Sequence, residues 1–209
     1  MISSMNKIPI GIIGAGGHTR SILNSVDTES FHIQGIYDDN YNKDINEIVC
    51  EIPLVGKVAD IPKKIQLVLS IGDNKKREKL FFKHFDRILK ENIIHKTAII
   101  EGYVRIGNSN QILANCYINA YSSIGNNNLI NTGCIIEHET SIGNHNHLSV
   151  GSVICGRVTI KNECFIGAGS VIINNISICD NVIIGANAVV ISNITEPGVY
   201  VGNPTRKVK

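Results

Sequence analysis

The sequence has no tryptophan, and aromatic residues make up only 5% of its 209 positions. An excess of charge is also missing: the formal net charge is +2, and Lys and Arg form no stripe that would suit nucleic acid. The apolar stretch in MISSMNKIPIGIIGAGG is too short and too often interrupted by glycine for a signal peptide or a membrane span. These absences predict a soluble, cytoplasmic protein without a nucleic-acid partner.

The six cysteines also lack a pattern, since no two form a C-x-x-C pair and none has zinc-finger spacing. They are Cys50, Cys116, Cys134, Cys155, Cys164 and Cys179. Cys116 and Cys134 occupy repeat positions that call for a small apolar side chain. The sequence therefore predicts reduced thiols, as expected inside a cell.

A six-residue period dominates the second half of the chain. Starting at Ile100, every sixth residue through Val190 is Ile, Leu or Val. This period fits neither an α-helix nor a hairpin meander, but it suits a short strand and a turn with one aliphatic side chain pointing inward. Three such units close an 18-residue coil, which predicts a β-helix of about five rungs stacked roughly 4.8 Å apart.

Glycine and asparagine recur between the aliphatic positions, as in the runs 126–128 and 174–175. Both residue types tolerate the positive φ that tight corners require. Low-complexity disorder is the alternative interpretation of the asparagine runs, and the unbroken aliphatic ladder argues against it.

The first half alternates strands with helices and predicts a small parallel α/β domain. Predicted are a strand over 7–13, a glycine-rich turn over 14–18, a helix to about Ser25, strands over 32–37 and 66–71, and a helix from Asp73 or Asn74 to about Lys90. The predicted division is 1–92 and 93–209. No flexible linker joins the two domains, so we expect them to be held rigidly against each other.

Ligands of a parallel sheet bind at the carboxyl ends of its strands. Here these ends carry the turn 14–18, Asp38-Asp39 and 72–74. GAGGH is a weak match to the dinucleotide fingerprint because Thr19 stands at the third glycine position. The unit is also small for a dinucleotide domain, so a mononucleotide or nucleotide-sugar fits better. A glycine turn that only packs the helix against the strand is the alternative.

Three of the seven histidines, His138, His145 and His147, are close together in the sequence. The aliphatic ladder fills the inward positions, which predicts that these side chains are exposed. A histidine beside a carboxylate suits a general base, and Glu139 could orient His138. The alternatives are solvated polar side chains, or a zinc site in which His145 and His147 supply two ligands.

The strings GAGGH, IYDDN, SIGDN, IIHKTAII, INTGCIIEHETSIGNHNHLSVG, FIGAGSVI, VIIGANAVV and PGVYVGNP follow one another from Lys7 to Val208. In this order they resemble the sialic acid O-acetyltransferase-like sugar O- and N-acyltransferases. The resemblance includes the bacterial N-acetyltransferases that act on nucleotide-linked 4-amino-4,6-dideoxyhexoses.

That resemblance implies a left-handed β-helix, a homotrimer with active sites between adjacent β-helices, and the following site residues. The implied catalytic residues are His138 as general base, Glu139 as its partner, and Asn131 near the acceptor. The implied acetyl-CoA contacts are His147, Gly156, Ala168 and Ala186. The implied nucleotide-sugar contacts are Gly16, Gly17, His18, Asp38, Asp39 and Gly72.

The implied function is acetyl-CoA-dependent N-acetylation of the sugar by direct attack, with no metal and no acyl-enzyme, in the biosynthesis of a surface glycan such as lipopolysaccharide. O-acetylation of a sugar of the sialic acid type is one alternative, and a non-catalytic β-helix scaffold is another. The segment 40–64 is longer than in compact family members. The choice among UDP, dTDP and GDP and the epimer of the hexose stay open.

Overall fold

The computed structural model describes residues 7–209 and divides into two compact units, one through Ile93 and one from Ile94. The elements of the first unit are β1 (Ile8–Ile13), α1 (Gly17–Leu23), β2 (Phe31–Tyr37), β3 (Ile48–Val49), β4 (Ile52–Gly56), β5 (Gln66–Leu69) and α2 (Asn74–Lys83). Short 3₁₀ helices span Val58–Asp60 and Phe85–Arg87. Among the described residues, no helix is long and apolar enough to cross a bilayer.

The five strands of the first unit form one sheet in the order β3-β4-β2-β1-β5. Strands β1, β2, β4 and β5 run parallel, whereas β3 pairs antiparallel with β4. Ile10, Ile12 and Ile36 are fully buried in the sheet and belong to one apolar cluster, whereas Ile13 and Leu67 belong to a second. The predicted parallel α/β domain is therefore confirmed.

Three elements of this unit end earlier than predicted. Helix α1 ends at Leu23 instead of about Ser25, β5 ends at Leu69 instead of residue 71, and α2 ends at Lys83 instead of about Lys90. Helix α2 stops early because the chain returns to the sheet, where the backbone N–H of Leu89 donates to the oxygen of Leu67 at 2.9 Å. Segment 40–64, for which no elements were predicted, contains β3 and β4.

The second unit is a parallel β-helix of hexapeptide repeats. Its strands are β6 (Ile93–Ile94), β7 (Ile99–Ile100), β8 (Arg105–Ile106), β9 (Gln111–Ile112), β10 (Tyr117–Ile118), β11 (Ser123–Ile124), β12 (Leu129–Ile130), β13 (Ile135–Ile136), β14 (Ser141–Ile142), β15 (His147–Leu148), β16 (Val153–Ile154), β17 (Thr159–Ile160), β18 (Phe165–Ile166), β19 (Val171–Ile172), β20 (Ser177–Ile178), β21 (Val182–Ile184), β22 (Val189–Val190), β23 (Gly198–Val201) and β24 (Arg206–Lys207). The ladder begins one strand earlier than predicted, at β6.

These strands form the three sheets that make up the faces of the coil. Face 1 contains β7, β10, β13, β16, β19 and β22; face 2 contains β8, β11, β14, β17 and β20; face 3 contains β6, β9, β12, β15, β18, β21, β23 and β24. Up to β22, partners in neighbouring rungs are 18 residues apart, as in the pairing of Ile118 with Ile136, whereas Ile183 in β21 and Val199 in β23 are 16 apart. Every inward residue of the ladder from Ile112 to Val190 is buried, which confirms the predicted core.

The corners adopt the left-handed backbone that the asparagine and glycine pattern predicts, as at Asn127 with φ of 53°. The same corner positions also hold Tyr121, Glu139, His145 and Arg157 at positive φ. The backbone conformation is therefore imposed by the coil, and residues other than glycine and asparagine accept it.

The coil ends in a hairpin on face 3. Strand β23 continues the parallel stack on β21, whereas β24 runs antiparallel to β23. The side chain of Lys207 in β24 donates to the Glu196 carboxylate at 2.9 Å. The last strand of face 3 is thus reversed in direction and carries basic side chains.

Candidate active site

His138 and Glu139 lie at the corner between faces 1 and 2, directly after β13. Nδ1 of His138 is 3.1 Å from Oε2 of Glu139, and the two side chains are 41% and 47% exposed. An ionised carboxylate only accepts hydrogen bonds, so Nδ1 carries the proton of the neutral ring and Nε2 is left as an acceptor. This arrangement suits a base that takes up a proton at Nε2.

A second donor, the guanidinium of Arg157, shares the same carboxylate oxygen. Nε of Arg157 lies 2.9 Å from Oε2 of Glu139, one rung further along the same corner. The hydrogen bond with His138, followed by the positive charge of Arg157, lowers the pKa of the Glu139 carboxyl below its ordinary value. Glu139 is therefore ionised at neutral pH. Arg157 was not predicted from the sequence.

Gly156 lies against the ring of His138. A Cβ added to Gly156 would be 2.6 Å from Nε2 and 2.7 Å from Cε1 of His138, closer than real contacts allow. Ala120 occupies the same corner position one rung earlier and is also small. The ring thus fits between two rungs only because its stacking neighbours have little or no side chain.

Glu137 was also missed as a candidate residue. Its Oε2 accepts from Nδ2 of Asn119 at 2.7 Å and from the backbone N–H of His138 at 3.4 Å. Burial, and then the charge of Glu137, raise the pKa of the nearby Cys155 thiol. Asn119 precedes Glu137 by 18 residues, so the repeat spacing carried a signal for this contact.

Asn131 and His147 form a second group, at face 3 and the corner that follows it. Nδ2 of Asn131 is 3.4 Å from Nε2 of His147. The His147 ring also meets Phe165 edge to face, with centroids 4.9 Å apart. Ala168 and Ala186 are exposed on this same corner.

The predicted exposure is confirmed for His138 and is wrong for His145 and His147. His145 and His147 are 7% and 8% exposed, and only His138 is substantially accessible. Nδ1 of His145 is 2.8 Å from Nδ2 of Asn127 at the corner between faces 2 and 3. The three residues therefore do not form one cluster. No group of three or more His, Cys, Asp or Glu side chains within residues 7–209 could hold a metal ion.

The candidate residues of the β-helix are thus divided between two corners. His138, Glu139 and Gly156 follow face 1, whereas the Asn131 and His147 group precedes it. The outward side chains of face 1 are apolar: Ile99, Tyr117, Ile135, Val153, Val171 and Val189. Those of face 2 are polar: Arg105, Ser123, Ser141, Thr159 and Ser177. Face 1 is the apolar side between the two groups.

In the first unit, the predicted strand ends do meet. The backbone N–H of Gly14 donates to the oxygen of Tyr37, and that of Ala15 donates to Oδ2 of Asp38 at 2.9 Å. Oδ1 of Asp38 accepts the backbone N–H of Asn40 at 2.9 Å. Asp38 therefore holds the glycine turn in place, in addition to any contact with a ligand.

Glycines of the turn differ in what they require. Gly14 has φ of 109°, and an added Cβ would be 2.6 Å from the oxygen of Ser70, so glycine is needed there for the fold. Within residues 7–209, Gly16, Gly17 and Gly72 have no atom within 4 Å of an added Cβ, apart from their chain neighbours and their own helix. The space above these three is open, which is compatible with a ligand. His18 lies in the first turn of α1.

A cleft of about 220 Å³ opens at this edge, lined by Ala15, Gly16, Asp38, Asn40, Glu47 and Leu54. Asn40, Glu47 and Leu54 were not predicted, because they belong to segment 40–64, which lacked a readable pattern. Asp39 lies outside this lining set, and its Oδ1 accepts the backbone N–H of Val58 at 3.3 Å.

Comparison with known families gives two matches. The PglD N-terminal domain matches residues 9–84, and the bacterial transferase hexapeptide (six repeats) matches residues 157–192. No curated protein matches the sequence significantly.

Solved structures are similar over nearly the whole chain. PerB from Caulobacter crescentus, a GDP-perosamine N-acetyltransferase, is 30% identical over 96% of this chain and 97% of its own, with a TM-score of 0.86. The acetyltransferase domain of PglB from Neisseria gonorrhoeae is 21% identical over 96% of this chain and 99% of its own, with a TM-score of 0.88. The latter likeness shows the fold alone.

The contact between Gly156 and His138 gives a direct structural prediction. Gly156→Ala should push the His138 ring away by about 0.8 Å, because a 2.6 Å approach must relax to an ordinary contact of at least 3.4 Å. A crystal structure of the variant should show the ring displaced with the coil unchanged. Gly102→Ala, on the same corner with open space around the added Cβ, is the control. An unmoved ring in Gly156→Ala would contradict the tight packing.

Proposed function

Because the chain belongs to the hexapeptide-repeat sugar N-acyltransferases, we propose that it transfers an acetyl group from acetyl-CoA to the 4-amino group of a nucleotide-linked 4-amino-4,6-dideoxyhexose. The observation that carries the proposal is the His138 ring, whose Nδ1 faces Glu139 and whose Nε2 is left to accept a proton. PerB, solved with both CoA and GDP-perosamine, supports this choice of substrates.

In the proposed reaction, the sugar nitrogen attacks the carbonyl carbon of the thioester. His138 takes the proton from nitrogen at Nε2, the new C–N bond forms, the C–S bond breaks, and the proton passes to the departing CoA sulfur. Glu139 holds the ring in the required tautomer and stabilises the imidazolium that forms. A donor near His147 or a backbone N–H stabilises the oxyanion.

Direct transfer is favoured over an acyl-enzyme because the thiols buried in the coil are poorly suited to attack. Burial raises the pKa of Cys116 to about 11 and that of Cys164 to about 12. Cys134 is fully buried, and its pKa is raised further. A thiol that stays protonated at neutral pH is a weak nucleophile.

We assign recognition of the nucleotide-sugar to the first unit, at the strand ends that carry Gly16, Gly17, His18, Asp38, Asp39 and Gly72. The open space above the three glycines and the cleft beside Asp38 support this assignment. Acetyl-CoA is assigned to His147, Gly156, Ala168 and Ala186 of the β-helix. We further propose that the reaction occurs in the cytoplasm and supplies an acetamido sugar for a surface glycan such as lipopolysaccharide.

The working form is proposed to be a cyclic homotrimer. His138 and the Asn131–His147 group lie on opposite sides of the apolar face 1, so one chain does not present them as a single cleft. Covering face 1 with a second copy would remove its outward Ile and Val side chains from water. A cleft built from two chains can then use one group from each.

The proposed reaction predicts release of free CoA when nucleotide-linked 4-amino-4,6-dideoxyhexoses are supplied with acetyl-CoA. A panel carrying UDP, dTDP or GDP should contain at least one sugar that is acetylated on nitrogen, as judged by mass spectrometry. The matched 4-hydroxy sugars and sialic acid are the controls. Faster acetylation of a hydroxyl acceptor would establish O-acetylation instead.

The same CoA-release assay tests the role of His138 as the base. His138→Ala and His138→Asn should each lower kcat/KM by roughly 10²–10⁴, the usual contribution of a positioned base. Glu139→Ala should cost less, since it removes only the partner of the ring. Activity should rise with pH, because only a neutral imidazole and a free amine can react. Near-normal activity of His138→Ala across the pH range would contradict the assignment.

The nucleotide site predicts a selective change in substrate affinity. Asp39→Asn should raise KM for the nucleotide-sugar roughly tenfold, the size expected for one lost charged hydrogen bond, and leave KM for acetyl-CoA unchanged. Asp38→Asn should also lower the melting temperature, because Asp38 binds Ala15 and Asn40. Glu29→Gln is the control, because Glu29 precedes the amino end of β2, at the opposite end of the strand from Asp38 and Asp39. Equal increases in both KM values would contradict the assignment.

The proposed trimer predicts a solution mass three times the 22.8 kDa of one chain. Val153→Lys should convert the assembly to monomers, because it places a charge in the middle of the apolar face 1. Thr159→Lys on the polar face 2 is the matched control and should leave the mass unchanged. Light scattering that finds an active monomer in the wild type would contradict the proposal.

A further inference from the structure

Glu139 has two donors on a single oxygen. Among the described residues, Nδ1 of His138 at 3.1 Å and Nε of Arg157 at 2.9 Å both contact Oε2. Glu139 itself is 47% exposed and lies on a corner with φ of 58°. An exposed glutamate ordinarily samples several rotamers, so the contact with Arg157 restricts the carboxylate at the position where it also meets His138.

Arg157 is itself anchored to the base. Its backbone N–H donates to the backbone oxygen of His138 at 3.0 Å, as part of the stacking between rungs. The guanidinium therefore starts from a backbone position that is fixed relative to His138. The three residues therefore contact one another in a closed set. The backbone of His138 accepts from the backbone of Arg157, the Arg157 guanidinium contacts the Glu139 carboxylate, and that carboxylate contacts the ring of His138.

We propose that Arg157 is a positioning residue for the acyl transfer: it fixes the Glu139 carboxylate so that His138 keeps its proton on Nδ1 and presents Nε2 as the acceptor. The proposal rests on the proposed function for its kinetic consequence. Its structural consequence, the tautomer of His138, does not depend on any substrate.

A different role is available to Arg157, because its side chain is 59% exposed and could contact a phosphate of either substrate. The two roles differ in what a variant changes. A phosphate contact supports binding and raises KM when lost, irrespective of Glu139. A positioning role lowers kcat and disappears once Glu139 is absent.

A double-mutant cycle separates these roles. Arg157→Ala should lower kcat about two- to fivefold, the range expected for an exposed ion pair, with both KM values unchanged. In a Glu139→Ala background, Arg157→Ala should have no further effect on kcat. In the otherwise wild-type chain, Arg157→Lys should retain part of the rate that Arg157→Ala loses. A raised KM, or an undiminished loss in the Glu139→Ala background, would overturn the proposal.

Nitrogen NMR of the imidazole rings tests the same proposal without substrate. In the wild type at a pH where the ring is neutral, Nδ1 of His138 should show the signal of a protonated nitrogen and Nε2 that of an acceptor. Arg157→Ala should shift the signals towards a mixture of tautomers. The His138→Asn variant assigns the signals, and Arg105→Ala, an exposed arginine on face 2, is the control for both experiments.

The outcomes remain distinguishable if the function is wrong. Absence of acetylation across the whole sugar panel would refute the proposed function, whereas the NMR result would still decide the role of Arg157. An unchanged tautomer in Arg157→Ala, with thermal unfolding like that of the wild type, would overturn the positioning role.

Discussion

From β6 to β22 each coil of the second unit is 18 residues long, and this constant length is the constraint on which the site depends. Because the strands pair without a shift, each side chain stacks on those 18 positions before and after it. The inward column is thereby filled with aliphatic side chains. The same rule places Ala120 and Gly156 on either side of His138, and Arg157 beside Glu139. The chemistry of the corner follows from the geometry of the core.

Much of the β-helix could be predicted because its inward positions accept only aliphatic side chains, and these recur every six residues in the sequence. The helix and strand boundaries of the first unit were harder to predict. Ile88 and Leu89 continue the apolar pattern of α2, but the chain there has already left the helix to pair with β5. Strand β4 pairs with β2, and β3 pairs with β4, and no local pattern in the sequence records these pairings.

The candidate site was predictable to the extent that it is local. His138 and Glu139 are consecutive, so their contact follows from the sequence alone. The contacts of Glu139 with Arg157 and of Glu137 with Asn119 required the period to be applied to polar residues as well. The burial of His147 could not be read from its position in the repeat, since the outward residues of face 3 range from buried Leu129 to Ile183, which is 45% exposed.

The reversed final strand has a consequence for the chain as a polymer. A stack of parallel strands ends in an unpaired edge that can act as a template for an identical stack, and such templating leads to fibres. On face 3 that edge belongs to β24, which runs opposite to every rung beneath it and carries Arg206 and Lys207. A second coil cannot extend this face with matching polarity. Growth along the axis by parallel pairing is therefore blocked on this face.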